Sequence, residues 1–171
     1  MNALVVYESL YGNTRQIADA IAEGLRDTAH VDVVEVGDAS ASVVDTADLL
    51  VVGGPTHIHG LTSTLSRKGA HNDAAKQGLP EPDIAGPPLR EWFEGIQPLQ
   101  QARDAAAFDT RIGKPKLLTG SAASGVARRL RRHGYHVVAE ESFIVKDTAG
   151  PLQEGELERA RAWGRALPSR R

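Results

Sequence analysis

The sequence predicts an α/β domain in which a parallel β-sheet is covered by helices on both faces. Short, almost wholly apolar runs of strand length alternate along the chain with segments whose apolar residues recur at helical spacing. Because strands that are apolar throughout are buried on both faces, and helical crossovers join parallel strands, this alternation indicates a doubly wound sheet. The chain has 171 residues, 41% of them hydrophobic, so we expect one domain over residues 1–171 with one core.

The first part of the chain supplies three predicted strands and one clear helix. Residues 3–7 (ALVVY) form an apolar run of strand length, and the segment that follows, as far as Leu25, carries a helical apolar stripe. Residues 31–36 (VDVVEV) predict the second strand. Residues 47–54 (ADLLVVGG) predict the third strand, which should be buried on both faces.

The fourth strand has two possible positions. Residues 87–98 (PLREWFEGIQPL) first predict a helix with proline at its start, in which Trp92 is expected to belong to the core. Residues 105–111 (AAAFDTR) then predict the fourth strand, and a competing frame shifts it to residues 116–120 (KLLTG). We favour the first frame.

The last part of the chain repeats the same alternation. Residues 121–133 predict a helix that Gly134 ends as a C-terminal cap. Residues 135–145 (YHVVAEESFIV) predict the last strand, and residues 152–167 predict a C-terminal helix.

One long irregular connection, Thr62 to Pro88, interrupts the pattern between the third strand and its helix. It is rich in glycine and proline, and a connection of that length inside a compact domain is usually functional or mobile. Residues 66–78 within it are compatible with a short helix, although Gly69 and Asn72 weaken that prediction.

The most informative motif is SLYGNT, residues 9–14, between the first strand and the first helix. A helix start presents unpaired backbone N–H groups and a positive dipole end, and a phosphate satisfies both. Gly12 removes the Cβ that would block close approach, while Ser9, Asn13 and Thr14 offer side-chain donors. An ordinary helix cap would use the same residue types. The position directly after a buried strand favours a phosphate site.

Composition excludes several classes of function. The formal net charge is -2, with 20 basic and 22 acidic residues, so neither nucleic-acid binding nor a polybasic membrane surface is indicated. The local exception, RRLRRH at residues 128–133, lies on a helical pattern and is expected to be a solvated basic face; docking of an acidic partner is the alternative. Without cysteine, the chain has no disulfides, thiol catalysis or cysteine-held metal clusters, and any redox chemistry must use a bound cofactor.

No apolar run approaches the length of a membrane span, and the N-terminus lacks the layout of a signal peptide. We therefore expect a cytoplasmic protein.

The SLYGNT loop, the GGPTHIHG segment after the third strand and the five βα units together resemble the flavodoxin-like family of FMN-binding proteins. The resemblance implies a doubly wound five-stranded parallel sheet of order 2-1-3-4-5 with helices on both faces, and FMN as the cofactor. It also implies that six consecutive residues wrap the FMN phosphate: Ser9, Leu10, Tyr11, Gly12, Asn13 and Thr14. Tyr11 departs from the family pattern, which has threonine there, and one hydroxyl donor is therefore missing or displaced.

By the same resemblance, two further loops flank the flavin ring. The loop after the third strand comprises Pro55, Thr56, His57, Ile58, His59 and Gly60. The loop after the fourth strand begins at Phe108, Asp109, Thr110 and Arg111, of which Phe108 alone could stack on a ring. The carboxyl ends of these strands meet where strand order reverses, which is where open α/β sheets bind ligands. Electron-carrier flavodoxins tend to place an aromatic ring in the first of these loops and are strongly acidic, and this chain departs from both features.

His57 and His59 have more than one reading. On an extended segment their side chains would project on the same side and could share a metal, with His71 as the nearest further ligand. They could also be partly exposed imidazoles without a ligand, or lie beside the flavin and tune it. We expect no metal.

The leading functional hypothesis is an FMN-binding redox protein that transfers electrons to a partner protein or a small-molecule acceptor. An FMN-dependent oxidoreductase acting on a quinone- or porphyrinogen-like substrate is the alternative, and the long Thr62–Pro88 connection favours it. A non-redox interaction module on the same fold is a third possibility. Receiver domains need clustered acids after the first strand, where only Glu8 stands, and no nucleotide-hydrolase Gly-x-x-x-x-Gly-Lys-Ser/Thr loop exists.

Overall fold

A computed structural model of the protein describes residues 1–56, 60–114 and 120–168. Its strands are β1 (Asn2–Tyr7), β2 (His30–Glu35), β3 (Leu49–Pro55), β4 (Asp104–Ile112) and β5 (His136–Val145). Its helices are α1 (Asn13–Leu25), α2 (Ala41–Val44), α3 (Thr64–Gln77), α4 (Leu89–Gly95), α5 (Ala122–Arg132) and α6 (Glu156–Ala166).

The strands form a 5-stranded sheet of order β2-β1-β3-β4-β5, and every neighbouring pair is parallel. The predicted fold class and strand order are therefore confirmed. The fourth strand occupies the favoured frame at 105–111, extended to Asp104–Ile112; the competing frame at 116–120 lies, except for Gly120, outside the described residues.

Helices cover both faces of the sheet, and each face has its own apolar cluster. Residues of α4 and α5, such as Trp92 and Leu130, pack on one face. Residues of α1 and α6, such as Ile21 and Ala160, pack on the other face. Val126 and Leu130 of α5 are both fully buried, so the apolar side of this helix faces the sheet.

Two glycines let α1 and α6 approach until their backbones touch. A Cβ added at Gly24 would lie 2.1 Å from the carbonyl oxygen of Arg161, and one added at Gly164 would lie 2.2 Å from that of Ile21. A side chain at either position is sterically excluded at this distance. These contacts hold the last turns of α1 directly against the backbone of α6.

Several elements differ from the prediction, and the helix predicted at residues 87–98 is shorter, at Leu89–Gly95. The C-terminal helix starts at Glu156 instead of residue 152, because Gly155 adopts a left-handed conformation with φ 83° and Leu152 pairs with Val145 in an isolated bridge. Helix α2 was not predicted, and it is one short turn capped by the Ser40 hydroxyl. Helix α3 is 14 residues long and is a full helix despite Gly69.

None of the helices in the described part of the chain has the length and apolarity required to cross a bilayer. Nor do the described residues contain a group of three or more His, Asp or Glu side chains arranged to hold a metal ion.

Candidate functional site

The carboxyl ends of β1, β3 and β4 lie side by side and open onto a cavity of about 380 Å³. The parallel register pairs Tyr7 with Gly53 and Gly53 with Phe108, so the segments that follow these residues leave the sheet together. A backbone hydrogen bond of 2.8 Å from Thr56 N to Thr110 O joins the last two segments. Of the residues predicted for the site, the cavity wall includes Leu10, Tyr11, Asn13, Thr14, Pro55, Thr56, Thr110 and Arg111.

The start of α1 offers backbone donors that no side chain caps. Gly12 is the N-cap residue, with φ 84°, and nothing lies within 4 Å of where its Cβ would be. The first turn of α1 contains no acidic residue, whereas that of α6 carries Glu156 and Glu158. The first turn of α1 therefore adds no carboxylate of its own at the positive end of the helix, which suits an anionic group.

Two threonine hydroxyls join the first and third predicted loops. Thr14 Oγ1 lies 2.8 Å from Thr110 Oγ1, and the two residues are only 2% and 4% exposed. One hydroxyl donates to the other, so the pair keeps one O–H that can point into the cavity both residues line. Close by, Asn13 Nδ2 donates to Ala149 O at 3.1 Å, which fixes the first turn of α1 against the segment after β5.

Tyr11 also lines the cavity, at the position where the family pattern has threonine. Burial raises the pKa of the Tyr11 hydroxyl, so the group stays protonated at neutral pH and remains a hydrogen-bond donor. Ser9 occupies a different position in the loop: its Oγ accepts a hydrogen bond of 3.0 Å from Gly12 N. Ser9 thus shapes the loop in this structure.

Two predicted residues of β4 lie away from the cavity. Phe108 is fully buried in the core and makes an edge contact with Phe143, with a ring centroid distance of 6.5 Å. This position argues against the expected stacking of Phe108 on a flavin. The reason is position along the strand: Phe108 and Thr110 point to the same face of the sheet, but Phe108 lies two residues further from the carboxyl end and is covered by the core.

Asp109 points to the opposite face and fastens the surrounding loops. Its Oδ2 accepts hydrogen bonds from Thr56 Oγ1 at 3.0 Å, Ser121 Oγ at 2.7 Å and Ala123 N at 2.9 Å. Asp109 is fully buried and does not appear in the cavity wall. Its side chain therefore positions the chain around the site instead of touching a ligand.

Arg111 faces the cavity and brings a positive charge to the edge of the sheet. Its Nη1 donates to Lys114 O at 2.6 Å, while its buried Nε has no hydrogen-bond partner among the residues that the structure describes. The predicted residues His57, Ile58 and His59 lie outside the described residues; Pro55, Thr56 and Gly60 lie inside them.

Helix α3 forms a cavity wall that the sequence analysis missed. Ala70, Asp73, Ala74 and Gln77 line the cavity and follow the i, i+3, i+4, i+7 spacing of one helical face. That spacing is typical of one helical face, but two of the four residues are polar, so it does not form an apolar stripe that would predict a buried face. Val145 and Thr148, at the end of β5 and beyond it, complete the wall and were missed as well.

Comparison with known proteins supports the same fold. A sequence model of the flavodoxin domain matches residues 4–68. No curated protein sequence matches the chain.

Among solved structures, the Streptococcus pneumonia TIGR4 flavodoxin is similar with a TM-score of 0.66 and 20% identity, covering 98% of this chain and 97% of the other. A flavodoxin from the domain Archaea gives a TM-score of 0.62 and 20% identity, covering 98% of this chain and 96% of the other. The flavodiiron protein of Giardia intestinalis is similar with a TM-score of 0.59 and 19% identity. The match covers 97% of this chain but 35% of that longer chain.

At these identities the structural likeness establishes the fold. The sequence match includes β1, the SLYGNT loop and β3. The chain therefore has the flavodoxin-like fold over almost its whole length, and its sequence matches the flavodoxin domain over residues 4–68.

Proposed function

We propose that the protein is an FMN-binding redox protein that transfers electrons. The observation that carries the proposal is the uncapped, acid-free start of α1 beside the Thr14–Thr110 hydroxyl pair, both facing one cavity at the carboxyl edge of the sheet. This donor set suits a phosphate monoester, because helix N–H groups and hydroxyls donate to phosphate oxygens without adding negative charge. The volume of about 380 Å³ falls in the range of small-molecule sites.

Each part of the wall has a physical role in that proposal. The backbone of residues 12–14 and the hydroxyl pair would hold the phosphate. Leu10, Pro55 and Ile112 would shield the rest of the cofactor from water. Arg111 would add a positive charge that favours an anionic cofactor. Bound FMN would supply the electron-accepting chemistry.

An FMN-dependent oxidoreductase for a small quinone- or porphyrinogen-like substrate is a second candidate. Helix α3 favours the oxidoreductase, because a helix along the cavity wall restricts the access of a protein partner to the cavity. A small molecule could still enter. Stopped-flow reoxidation of the reduced protein distinguishes the two candidates. A carrier should react rapidly with a haem-protein acceptor, whereas the enzyme should react rapidly and saturably with a small quinone only.

The cofactor is tested by titrating the purified protein with FMN and with riboflavin, monitored by flavin fluorescence. We expect clear preference for FMN, since riboflavin lacks the phosphate. Thr14→Asp should abolish binding by placing a carboxylate against the phosphate. Thr14→Val keeps the shape and loses one hydroxyl, so affinity should fall by about five-fold, equivalent to ~1 kcal/mol. Equal affinity for the two flavins, or tight FMN binding by Thr14→Asp, would rule out the phosphate assignment.

A further inference from the structure

Glu8 is a buried carboxylate that none of the proposed chemistry uses. It lies between β1 and the SLYGNT loop and is 1% exposed. Its Oε2 accepts hydrogen bonds from the Thr62 hydroxyl and from Leu89 N, the latter at 2.9 Å. Its Oε1 accepts from Arg67, from Nε at 2.8 Å and from Nη2 at 2.7 Å. Glu8 therefore bonds residues at both ends of the Thr62–Pro88 connection.

Arg67, on α3, also links Glu8 to the end of the Thr62–Pro88 connection. It is 5% exposed, and besides Glu8 it donates to two carbonyl groups near the end of the connection. Its Nη1 bonds Gly86 O, and its Nη2 lies 3.3 Å from Pro87 O. The charge of Arg67 also neutralises that of Glu8, which would otherwise oppose an anion bound at the neighbouring loop.

Apolar packing of the same segment is limited to small side chains, since the buried apolar residues of α3 are Ala70 and Ala74. No residue of 62–88 belongs to either apolar cluster of the sheet, and Leu65 on α3 is 81% exposed. A separate backbone bond of 2.8 Å, from Asp83 N to Leu10 O, attaches the segment directly to the SLYGNT loop. Polar contacts at Glu8 and Leu10 thus hold α3 against the cavity.

We propose that Glu8 is a positioning residue that holds α3 as a wall of the cofactor cavity, and that release of FMN requires the segment 62–88 to open. The positioning role of Glu8 follows from the contacts given above. The role of the segment in FMN release rests on the proposed FMN site. Glu8 lies directly before Ser9, so the contacts that close the segment and the loop that would bind phosphate share one stretch of backbone. Loss of the Glu8 contacts should therefore free α3 locally and leave the sheet intact.

Hydrogen–deuterium exchange of the protein without and with FMN tests this, using Glu8→Gln and Arg67→Lys. Glutamine keeps the shape of Glu8 but turns an amide donor toward Arg67, and lysine cannot reach the carboxylate and both carbonyl groups at once. Arg103→Lys is the matched control, because Arg103 bonds the carbonyl groups of Asp45 and Ala47, both at 2.9 Å, at the opposite edge of the sheet.

In the protein without FMN, both variants should exchange the α3 amides roughly 100-fold faster than wild type, while β1 and β3 exchange as in wild type. Arg103→Lys should leave α3 unchanged. With FMN, dissociation measured by stopped-flow fluorescence should be at least ~10-fold faster in Glu8→Gln than in Arg103→Lys.

Unchanged α3 exchange in both variants, or acceleration that spreads equally over β1 and β3, would overturn the positioning role. Faster α3 exchange with an unchanged FMN release rate would overturn the release step. If wild type binds no FMN, the proposed function fails, and exchange in the cofactor-free protein still decides the role of Glu8.

Discussion

The backbone contact between α1 and α6 makes Gly164→Ala a demanding test of the packing. The new Cβ would lie 2.2 Å from Ile21 O and 3.1 Å from Ile21 C, so the two helices would have to move apart by about 1 Å to restore normal contact. Overpacking of this kind costs about 1–3 kcal/mol, and toward the upper end here, because a backbone carbonyl cannot rotate away as a side chain can. Alanine has a higher helix propensity than glycine, which stabilises the helix by about 1 kcal/mol and offsets part of this cost.

We therefore expect Gly164→Ala to destabilise the protein by about 1–2 kcal/mol net. Urea unfolding followed by circular dichroism measures this as a lower midpoint with an unchanged slope. Gly69→Ala is the matched control. Nothing lies within 4 Å of its Cβ position in the middle of α3, so the same substitution should stabilise the protein by about 0.5–1 kcal/mol. Stabilisation of similar size by both substitutions would refute the close contact between α1 and α6.

Three further predictions concern charge. Replacing exposed Arg128 and Arg132 with Gln should change the unfolding free energy by less than about 0.5 kcal/mol, measured by urea unfolding; a larger loss would contradict a solvated face. Burial raises the Glu35 pKa, so the folded state holds that proton more tightly and loses stability as pH rises through the unfolded and then the folded pKa. Glu35→Gln should therefore stabilise the protein at about pH 7 but not at about pH 3. Replacing His57 and His59 with Gln should flatten part of the pH dependence of the flavin reduction potential between about pH 5 and 8, with FMN still bound; an unchanged profile would place both imidazoles away from the ring.

The sheet could be predicted from the sequence because its central strands, β1 and β3, are nearly continuous apolar runs. Such runs have one stable environment, a sheet buried on both faces, and the helices between them require parallel pairing. The SLYGNT loop could be located for the same reason, since it connects a buried strand to an amphipathic helix. Its hydroxyl partner, Thr110, was predicted from family position, and the contact of 2.8 Å with Thr14 was not.

Helix α3 was underestimated because its pattern inverts the usual one. It exposes Leu65 and buries Arg67, and the apolar residues of its buried face are only the small side chains of Ala70 and Ala74, so apolar periodicity gives a weak signal. The force that holds it is an ion pair between residues 59 positions apart in the sequence, and such pairs leave no local trace. The role of Phe108 was misjudged for a related reason: sequence position places a residue near the end of a strand, but depth in the core depends on packing.

The shared carboxylate of Glu8 also fixes how far apart the ends of the Thr62–Pro88 connection lie. Thr62 and Leu89 both donate to one oxygen atom, so the chain leaves and returns at nearly the same point. Between such anchors the entropy of closing a loop rises only slowly with its length, by about 0.6 kcal/mol for each doubling. Lengthening, shortening or exchanging this insertion would therefore leave the strands in place while changing the wall that α3 forms along the cavity.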